Sequence, residues 1–386
     1  MRNKFILLFI ALGASWCAAN AQHADSLFAS KPVNLSDVVV NGRSDNEGPS
    51  LNYYMRDKLS TTEEILERTA GVTLIRRGNY GMEPVLRSYS GGQINLTING
   101  MKIFGACTDK MDPPTIYTEP ENLNAISLTQ GASGSRYGST VGGSLDMEMK
   151  EAQCTPLRDF YFTTASSYSS VNNSYNGSFA VSSSGPKASF RLSGVYRKAF
   201  DYKTAGGVSV PHSGYEKANY LASAMFNIRP QQWLTLDYMG DLGWNIGYPA
   251  LPMDVDRARA NIGSVAYLVN PLQGTLKRVE TKVYFNHIYH QMGNAERPEA
   301  PMPMDMPGWS YTAGAYSDME FAAGKNNRLE LRTDYYANFT KASMTMHWPG
   351  AADMYMLTLP DNLRQFAGAF VEDEWAIKPN HLLKFN

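Results

Sequence analysis

Polar and apolar residues alternate in short segments from about residue 157 onward, and these segments are rich in Tyr, Phe, Ser and Thr. Turn sequences such as Ser184-Gly185-Pro186 and Lys325-Asn326-Asn327 separate them. Because successive strand side chains point to opposite faces, this alternation predicts strands with one apolar and one polar face. We expect about ten, at Phe160–Ser169, Ser174–Val181, Ala188–Arg197, Tyr220–Ile228, Trp233–Asp241, Leu276–Met292, Tyr311–Phe321, Leu329–Phe339, Phe366–Ile377 and Leu382 onward.

Residues 43–150 follow a different pattern, which predicts one small mixed α/β domain. A helix begins after Thr61, where Thr61 and Glu64 form a capping box. Short strands then alternate with turns, and Asn99-Gly100 is a strong turn signal. The glycine-rich run Gly131–Gly143 lacks the Gly-Lys-Ser/Thr ending of a phosphate-binding loop.

The strands beyond this domain have aromatic ends, short turns on one side and long loops on the other, which is typical of an antiparallel transmembrane β-barrel. A secreted β-sandwich or β-propeller is the alternative. A barrel that encloses a folded domain needs about 22 strands, and an open sheet would leave bare edges in lipid. We therefore expect residues 151–386 to be only the first half of the barrel of a longer protein, or of a truncated gene product.

The N-terminus has the features of a secretory signal peptide over residues 1–21. Arg2 and Lys4 precede an apolar stretch, and Ala19-Asn20-Ala21 fits a cleavage site. Residues 22–42 resemble a flexible leader that contains a β-prone segment, Leu35–Val40. Such a segment can add to a partner's sheet or serve as the first strand of the domain that follows.

Composition narrows the function classes. The chain of 386 residues has a net charge of −1, which argues against nucleic acid as a partner. No stretch after the N-terminus approaches the roughly 18 apolar residues of a membrane helix. We identify neither a Ser–His–Asp set nor a paired-carboxylate site from spacing, so the sequence does not predict an enzyme.

Two elements carry candidate metal ligands. Cys107 and Met111 are four residues apart and would share a face on a helical turn. Along Leu276–Met292 the even positions are mostly polar, so His290 and Met292 should point into the barrel and His287 away from it. Soft sulfur ligands favour Cu(I), although incidental packing of a Cys and a Met is the alternative at each element.

These features together resemble the TonB-dependent outer-membrane receptors, and more narrowly their copper-receptor subfamily. The narrower match rests on Cys107-x-x-x-Met111 with Asp112-Pro113-Pro114 directly after it, and on His290-x-Met292 in the barrel. The resemblance implies a plug domain inside a β-barrel in the outer membrane of a Gram-negative bacterium, surrounded by lipid. It also implies copper bound by those four ligands as the transported cargo, and their soft sulfur donors favour Cu(I).

The resemblance further implies a TonB box at Leu35, Ser36, Asp37, Val38, Val39 and Val40, which would pair with the periplasmic TonB protein. We read Met302, Met304 and Met306 as part of an external loop, because prolines separate them. Their thioethers either capture copper before it reaches the main site or form an adaptable apolar surface.

Three alternatives stay open at this stage. Cys107 and Cys154, the two cysteines of the mature chain, could form a disulfide instead of a ligand site. The protein could be a TonB-dependent receptor for a metal chelate such as a siderophore or haem. It could also be a surface β-protein that transports nothing.

Overall fold

The computed structural model describes residues 37–41, 61–271, 273–297, 300, 302–324, 326–378 and 381–385. The predicted signal peptide, most of the leader, including Leu35 and Ser36, and the polar segment after it lie outside the described residues.

The first part of the described chain is a small α/β domain. Helix α1 (Thr62–Glu67) begins at Thr61, whose capping box with Glu64 is present as predicted. One sheet has the order β1-β7-β8-β5-β6, and a second has the order β2-β3-β4. The strands are β1 (Asp37–Asn41), β2 (Val72–Arg76), β3 (Met82–Leu86), β4 (Tyr89–Ser90), β5 (Ile94–Ile98), β6 (Met101–Lys102), β7 (Leu123–Gln130) and β8 (Gly143–Met149).

The domain closes around a small apolar core. Ile65 and Leu66 of the helix are fully buried, as are Ile98, Leu128 and Leu145 of the larger sheet. Single-turn 3-10 helices at Pro114–Tyr117 and Pro120–Asn122 connect β6 to β7. This connection also carries Cys107 and Met111, so the packing of the core fixes where the candidate ligands emerge.

Strand β1 covers the described part of the predicted TonB box. It pairs antiparallel with β7, with Val38 opposite Leu128, at the edge of the larger sheet. In this structure the segment therefore forms an edge strand of its own domain, which is one of the two roles that its β-prone sequence allows.

The second part is a sheet of eleven described strands, β9 to β19, in sequence order with every neighbouring pair antiparallel. They are β9 (Asp159–Ser169), β10 (Ser174–Ser184), β11 (Ala188–Ala199), β12 (Tyr215–Arg229), β13 (Gln232–Ile246), β14 (Asp254–Val269), β15 (Leu276–Gly293), β16 (Met304–Ala323), β17 (Asn327–Met346), β18 (Met354–Lys378) and β19 (His381–Phe385). No helix in the described residues is long and apolar enough to span a membrane.

Two sequence predictions for this sheet need correction. Strand β14 was not predicted from the sequence. Its first half carries the charged residues Arg257 and Arg259 and no aromatic residue, so it lacks the aromatic, apolar pattern by which the other strands were recognised. The reading of Met302–Met306 as a loop is wrong from Met304 onward, since β16 begins there and runs through Pro307. Register partners continue on both sides of Pro307, so the proline is accommodated within the strand.

The predicted alternation along β15 is confirmed. Lys282, Tyr284, Asn286, Ile288 and His290 are all buried on one face. His287 lies on the other face, where its ring stacks on that of Tyr311 at a centroid distance of 4.5 Å.

The α/β domain is fastened to the inner face of the strand sheet by buried charges. Glu119 accepts from Arg197 Nε at 2.7 Å and lies 2.8 Å from Lys217 Nζ. Lys217 also lies 3.2 Å from Asp241, so two cations and two carboxylates compensate one another away from water. Further along, the Tyr316 hydroxyl donates to the Asn99 carbonyl at 3.1 Å.

Candidate metal site

The segment Gly105–Asp112 is a tight loop, so Cys107 and Met111 do not share a face of a helical turn. A turn closes with the Lys110 amide donating to the Cys107 carbonyl at 3.3 Å, and Lys110 itself has φ 54°. The Asp112 carboxylate then accepts from the amides of Ala106 at 2.7 Å and Cys107 at 3.2 Å. The Asp112 carboxylate thus ties the end of the loop to its start.

The Met111 backbone is held by a residue of the large strand sheet. The Tyr248 hydroxyl donates to the Met111 carbonyl at 2.6 Å, and both residues are almost fully buried. Gly81 allows this approach, since a Cβ there would lie 2.8 Å from the same carbonyl oxygen. The Met111 side chain belongs to the same buried apolar cluster as Met292.

His290 and Met292 form the barrel half of the site. They are 1% and 2% exposed, and both point inward as their parity on β15 predicts. Neither ring nitrogen of His290 has a hydrogen-bond partner, and the nearest carboxylate oxygen, Asp112 Oδ2, is 3.9 Å from Nδ1. A buried polar atom without a partner costs free energy, and a bound ion would remove that cost.

The two halves meet at the sulfur atoms. Cys107 Sγ lies 3.7 Å from Met292 Sδ, across 185 positions of sequence. Gly308, the register partner of His290, makes the meeting possible, because a Cβ at Gly308 would be under 3.0 Å from the Ala106 carbonyl oxygen. The loop that carries Cys107 therefore touches the barrel wall beside His290.

This donor set is soft. The four candidate ligands, Cys107, Met111, Met292 and His290, supply a thiol, two thioethers and an imidazole. Among the described residues there is no alternative cluster of three or more His, Cys, Asp or Glu side chains that could hold a metal. Burial, with a further contribution from the Asp112 carboxylate, raises the pKa of the Cys107 thiol well above its usual value. Without an ion the thiol is protonated, and a metal that binds it must displace that proton.

A row of methionines continues from this site across the neighbouring strands. Met306 lies opposite Met292, Met304 lies opposite Met346, and Met346 lies opposite Met354. Met304 and Met306 pack against the buried cluster, whereas Met354 is 47% exposed. Met302, before β16, contributes its carbonyl to Asn294 at 3.0 Å.

The structure contains both cysteines of the described chain as free thiols. Cys154 lies between β8 and β9, where its Sγ donates to the Met225 carbonyl at 3.5 Å. The Cys107 thiol is therefore available to a ligand in this structure, and the disulfide alternative has no support from it.

Asp112 was identified from the sequence only as part of the motif Asp112-Pro113-Pro114, and Tyr248 and Gly308 were missed. Asp112 had a signal, because it stands directly after Met111 and before two prolines, where it can only serve a loop. Tyr248 and Gly308 had none, since their importance comes from contacts with a segment more than a hundred positions away.

Comparison with known proteins agrees with this architecture. Residues 52–144 match the family model of the TonB-dependent receptor plug domain. No curated relative matches the chain at the sequence level. The plug domain and the antiparallel strand sheet after it give the chain the fold of a TonB-dependent receptor, the class of Gram-negative outer-membrane proteins that the sequence predicts.

Several solved structures share the fold. The copper transporter OprC is 22% identical, with a TM-score of 0.76 over 89% of this chain and 53% of that chain. The ferric yersiniabactin uptake receptor FyuA from Yersinia pestis is 11% identical, with a TM-score of 0.59 over 90% of this chain and 63% of that chain. The Serratia marcescens hemophore receptor HasR is 14% identical, with a TM-score of 0.62 over 88% of this chain and 60% of that chain. The chain thus spans about half to two thirds of the length of these structures.

Proposed function

We propose that the protein acts as a receptor that imports copper, as Cu(I), across the outer membrane, with Cys107, Met111, His290 and Met292 as its ligands. The observation that carries this proposal is the contact between Cys107 Sγ and Met292 Sδ at 3.7 Å, beside the partnerless buried ring of His290. The similarity in fold to a copper transporter supports it.

The donor chemistry favours copper over the harder divalent metals. Thiolate and thioether ligands bind Cu(I), while Mg²⁺, Ca²⁺ and Mn²⁺ prefer carboxylate and carbonyl oxygens. The site is also small and dry, with His290, Met292 and Met111 each 1–2% exposed. A siderophore or haem would need a larger opening at this position, so a bare ion fits better than a chelate.

Energy for transport would come from TonB. We propose that residues 35–40 form the TonB box and pair with TonB as an added strand. The edge position of β1 supports this assignment, because its pairing with β7 uses one side of the strand backbone. TonB and the surrounding lipid are thus the expected partners, and the activity is transport without an enzymatic reaction.

The methionine row is proposed as the capture path. Met302, Met304 and Met306 would take Cu(I) weakly near the surface and pass it to Met292, the register partner of Met306. Replacing these three residues with Leu, which keeps their apolar volume, should slow uptake at low copper and leave uptake at high copper unchanged. Unchanged uptake at low copper would assign the row to apolar packing.

Copper binding is tested by metal content. The protein, purified in detergent under reducing conditions and loaded with Cu(I), should hold about one copper per chain by mass spectrometry, and His290→Ala should lose it. His287→Ala is the matched control, because His287 lies on the same strand but on the opposite face. Equal copper in the wild type and in His290→Ala would refute the site.

Transport is tested separately in cells. Deletion of residues 35–40 should abolish copper accumulation while leaving copper binding by the purified protein intact. Absence of copper from the wild-type protein, together with uptake of an iron chelate that depends on the same segment, would favour the chelate-receptor alternative. If the deletion changes neither copper accumulation nor chelate uptake, a surface protein without transport is favoured.

A further inference from the structure

Asp112 lies between the two halves of the candidate site. It is 2% exposed and follows Met111 directly in the plug loop. On one side its carboxylate accepts from the amides of Ala106 and Cys107. On the other side Oδ2 is 3.9 Å from His290 Nδ1, on a strand of the barrel.

The carboxylate has room for one more hydrogen bond. An ionised carboxylate offers about four lone-pair positions on its two oxygens, and two of these are occupied by the loop amides. The Tyr117 hydroxyl lies 3.5 Å from Oδ2, which is a weak contact at best. A position on Oδ2 is therefore free to accept a hydrogen bond from His290.

The imidazole of His290 lacks an acceptor for its N–H group. A neutral imidazole donates from one nitrogen and accepts or binds metal through the other. Metal-bound histidines almost always donate their second N–H to a carboxylate, a carbonyl or water, which fixes the ring and raises its basicity. Among the partners described, Asp112 is the carboxylate that the ring faces most closely.

We propose that Asp112 is a positioning residue that sets both halves of the metal site, an inference that rests on the proposed function. It holds the loop so that Cys107 faces Met292, and it accepts a hydrogen bond from the Nδ1–H group of His290 so that Nε2 faces the ion. Closing the present 3.9 Å separation to hydrogen-bond distance requires a movement of about 1 Å when the ion binds.

The first test is Asp112→Asn, which keeps the shape of the side chain but leaves one oxygen where two were used. Affinity for Cu(I), measured by competition with a chromophoric Cu(I) chelator, should fall about 10- to 100-fold. Asp109→Asn is the matched control, because Asp109 is an exposed carboxylate in the same turn. Asp109→Asn should bind within about 2-fold of the wild type, and an Asp112→Asn variant that does the same would overturn the proposal.

A double-mutant cycle separates action through His290 from support of the loop. In a His290→Ala background Asp112 can act only through the loop, so Asp112→Asn should cost at least about 3-fold less affinity there than it costs in the wild-type background. An equal loss in both backgrounds would show that Asp112 only holds the plug loop, and the inference about His290 would be wrong.

A second measurement does not depend on any variant folding. Wild-type protein loaded with Ag(I), a redox-stable substitute for Cu(I), should give the Raman signature of a histidine bound through Nε2 and protonated at Nδ1. A signature of binding through Nδ1 would refute the proposal. If the wild type binds neither Ag(I) nor Cu(I), both the proposed function and the role of Asp112 are wrong. If the wild type binds normally and Asp112→Asn binds equally well, only the proposed role of Asp112 is wrong.

Discussion

Replacement of Gly308 by alanine tests the contact between plug and barrel most directly. Gly308 lies on β16 opposite His290, and its missing side chain leaves space for the Ala106 carbonyl. An added Cβ would lie under 3.0 Å from that oxygen, whereas ordinary contact begins at 3.4 Å. The methyl group of Ala342 lies 3.5 Å from the same Cβ position, so that neighbour is already in van der Waals contact.

The plug loop must therefore retreat by about 1 Å, a distance that restores ordinary van der Waals separation. Because Cys107 follows Ala106, its sulfur would move away from Met292 Sδ, which is now 3.7 Å distant. Functional sites need their groups within about 0.5 Å of the working geometry. A misplacement of about 1 Å can cost as much as 100-fold, so we expect Cu(I) affinity to fall by about 10- to 100-fold.

The assay is competition with a chromophoric Cu(I) chelator on detergent-purified protein. Gly177→Ala serves as the control, since Gly177 lies on barrel strand β10 with open space where a Cβ would be. That variant should bind copper like the wild type. Gly308→Ala with wild-type affinity would mean that the loop does not set the metal geometry, and the site as described would be wrong.

Three further predictions follow from other parts of the structure. Two free thiols should be titrated in denatured protein, and bound Cu(I) should protect Cys107 but not Cys154 from alkylation, as read by peptide mass spectrometry. Arg197→Met should remove one of the two cations beside the buried Glu119 carboxylate, with Lys217 remaining, and destabilise the plug by about 1.5–3 kcal/mol, seen as faster proteolysis of the plug; an unchanged rate would contradict this. Burial raises the pKa of Glu63 from 4.5 to about 7, so the folded state binds this proton more tightly and stability should fall as pH rises from about 4.5 to 7. Glu63→Gln should remove that loss, worth about 3 kcal/mol, in denaturant titrations at pH 5 and pH 8.

The sequence predicted the inward direction of His290 and Met292 because alternation along a strand is a local property. Burial on every even position from Lys282 to His290 depends only on the pleat of β15. The same local reasoning failed at Met304, where prolines argued for a loop but the neighbouring strands on both sides kept the segment extended.

The plug half of the site was harder to predict. The sequence identified Cys107 and Met111 as candidate ligands but did not predict their conformation. The loop that carries them is held by Asp112 and has no periodic sequence pattern from which its shape could be predicted. Distances between Cys107 and Met292 depend on how two domains fit together, and only the resemblance to a family suggested that they meet. Gly308 shows the limit most clearly, since its role is to have no side chain opposite Ala106.

The contact between Cys107 and Met292 joins two parts of the chain that have separate sheets. One sulfur belongs to a loop of the α/β domain, and the other belongs to strand β15 of the large sheet. An ion held by donors from both would lose half of them if the plug moved by one or two bond lengths. A mechanical pull on the plug would then be sufficient to release a tightly bound ion, with no change in the chemistry of any ligand.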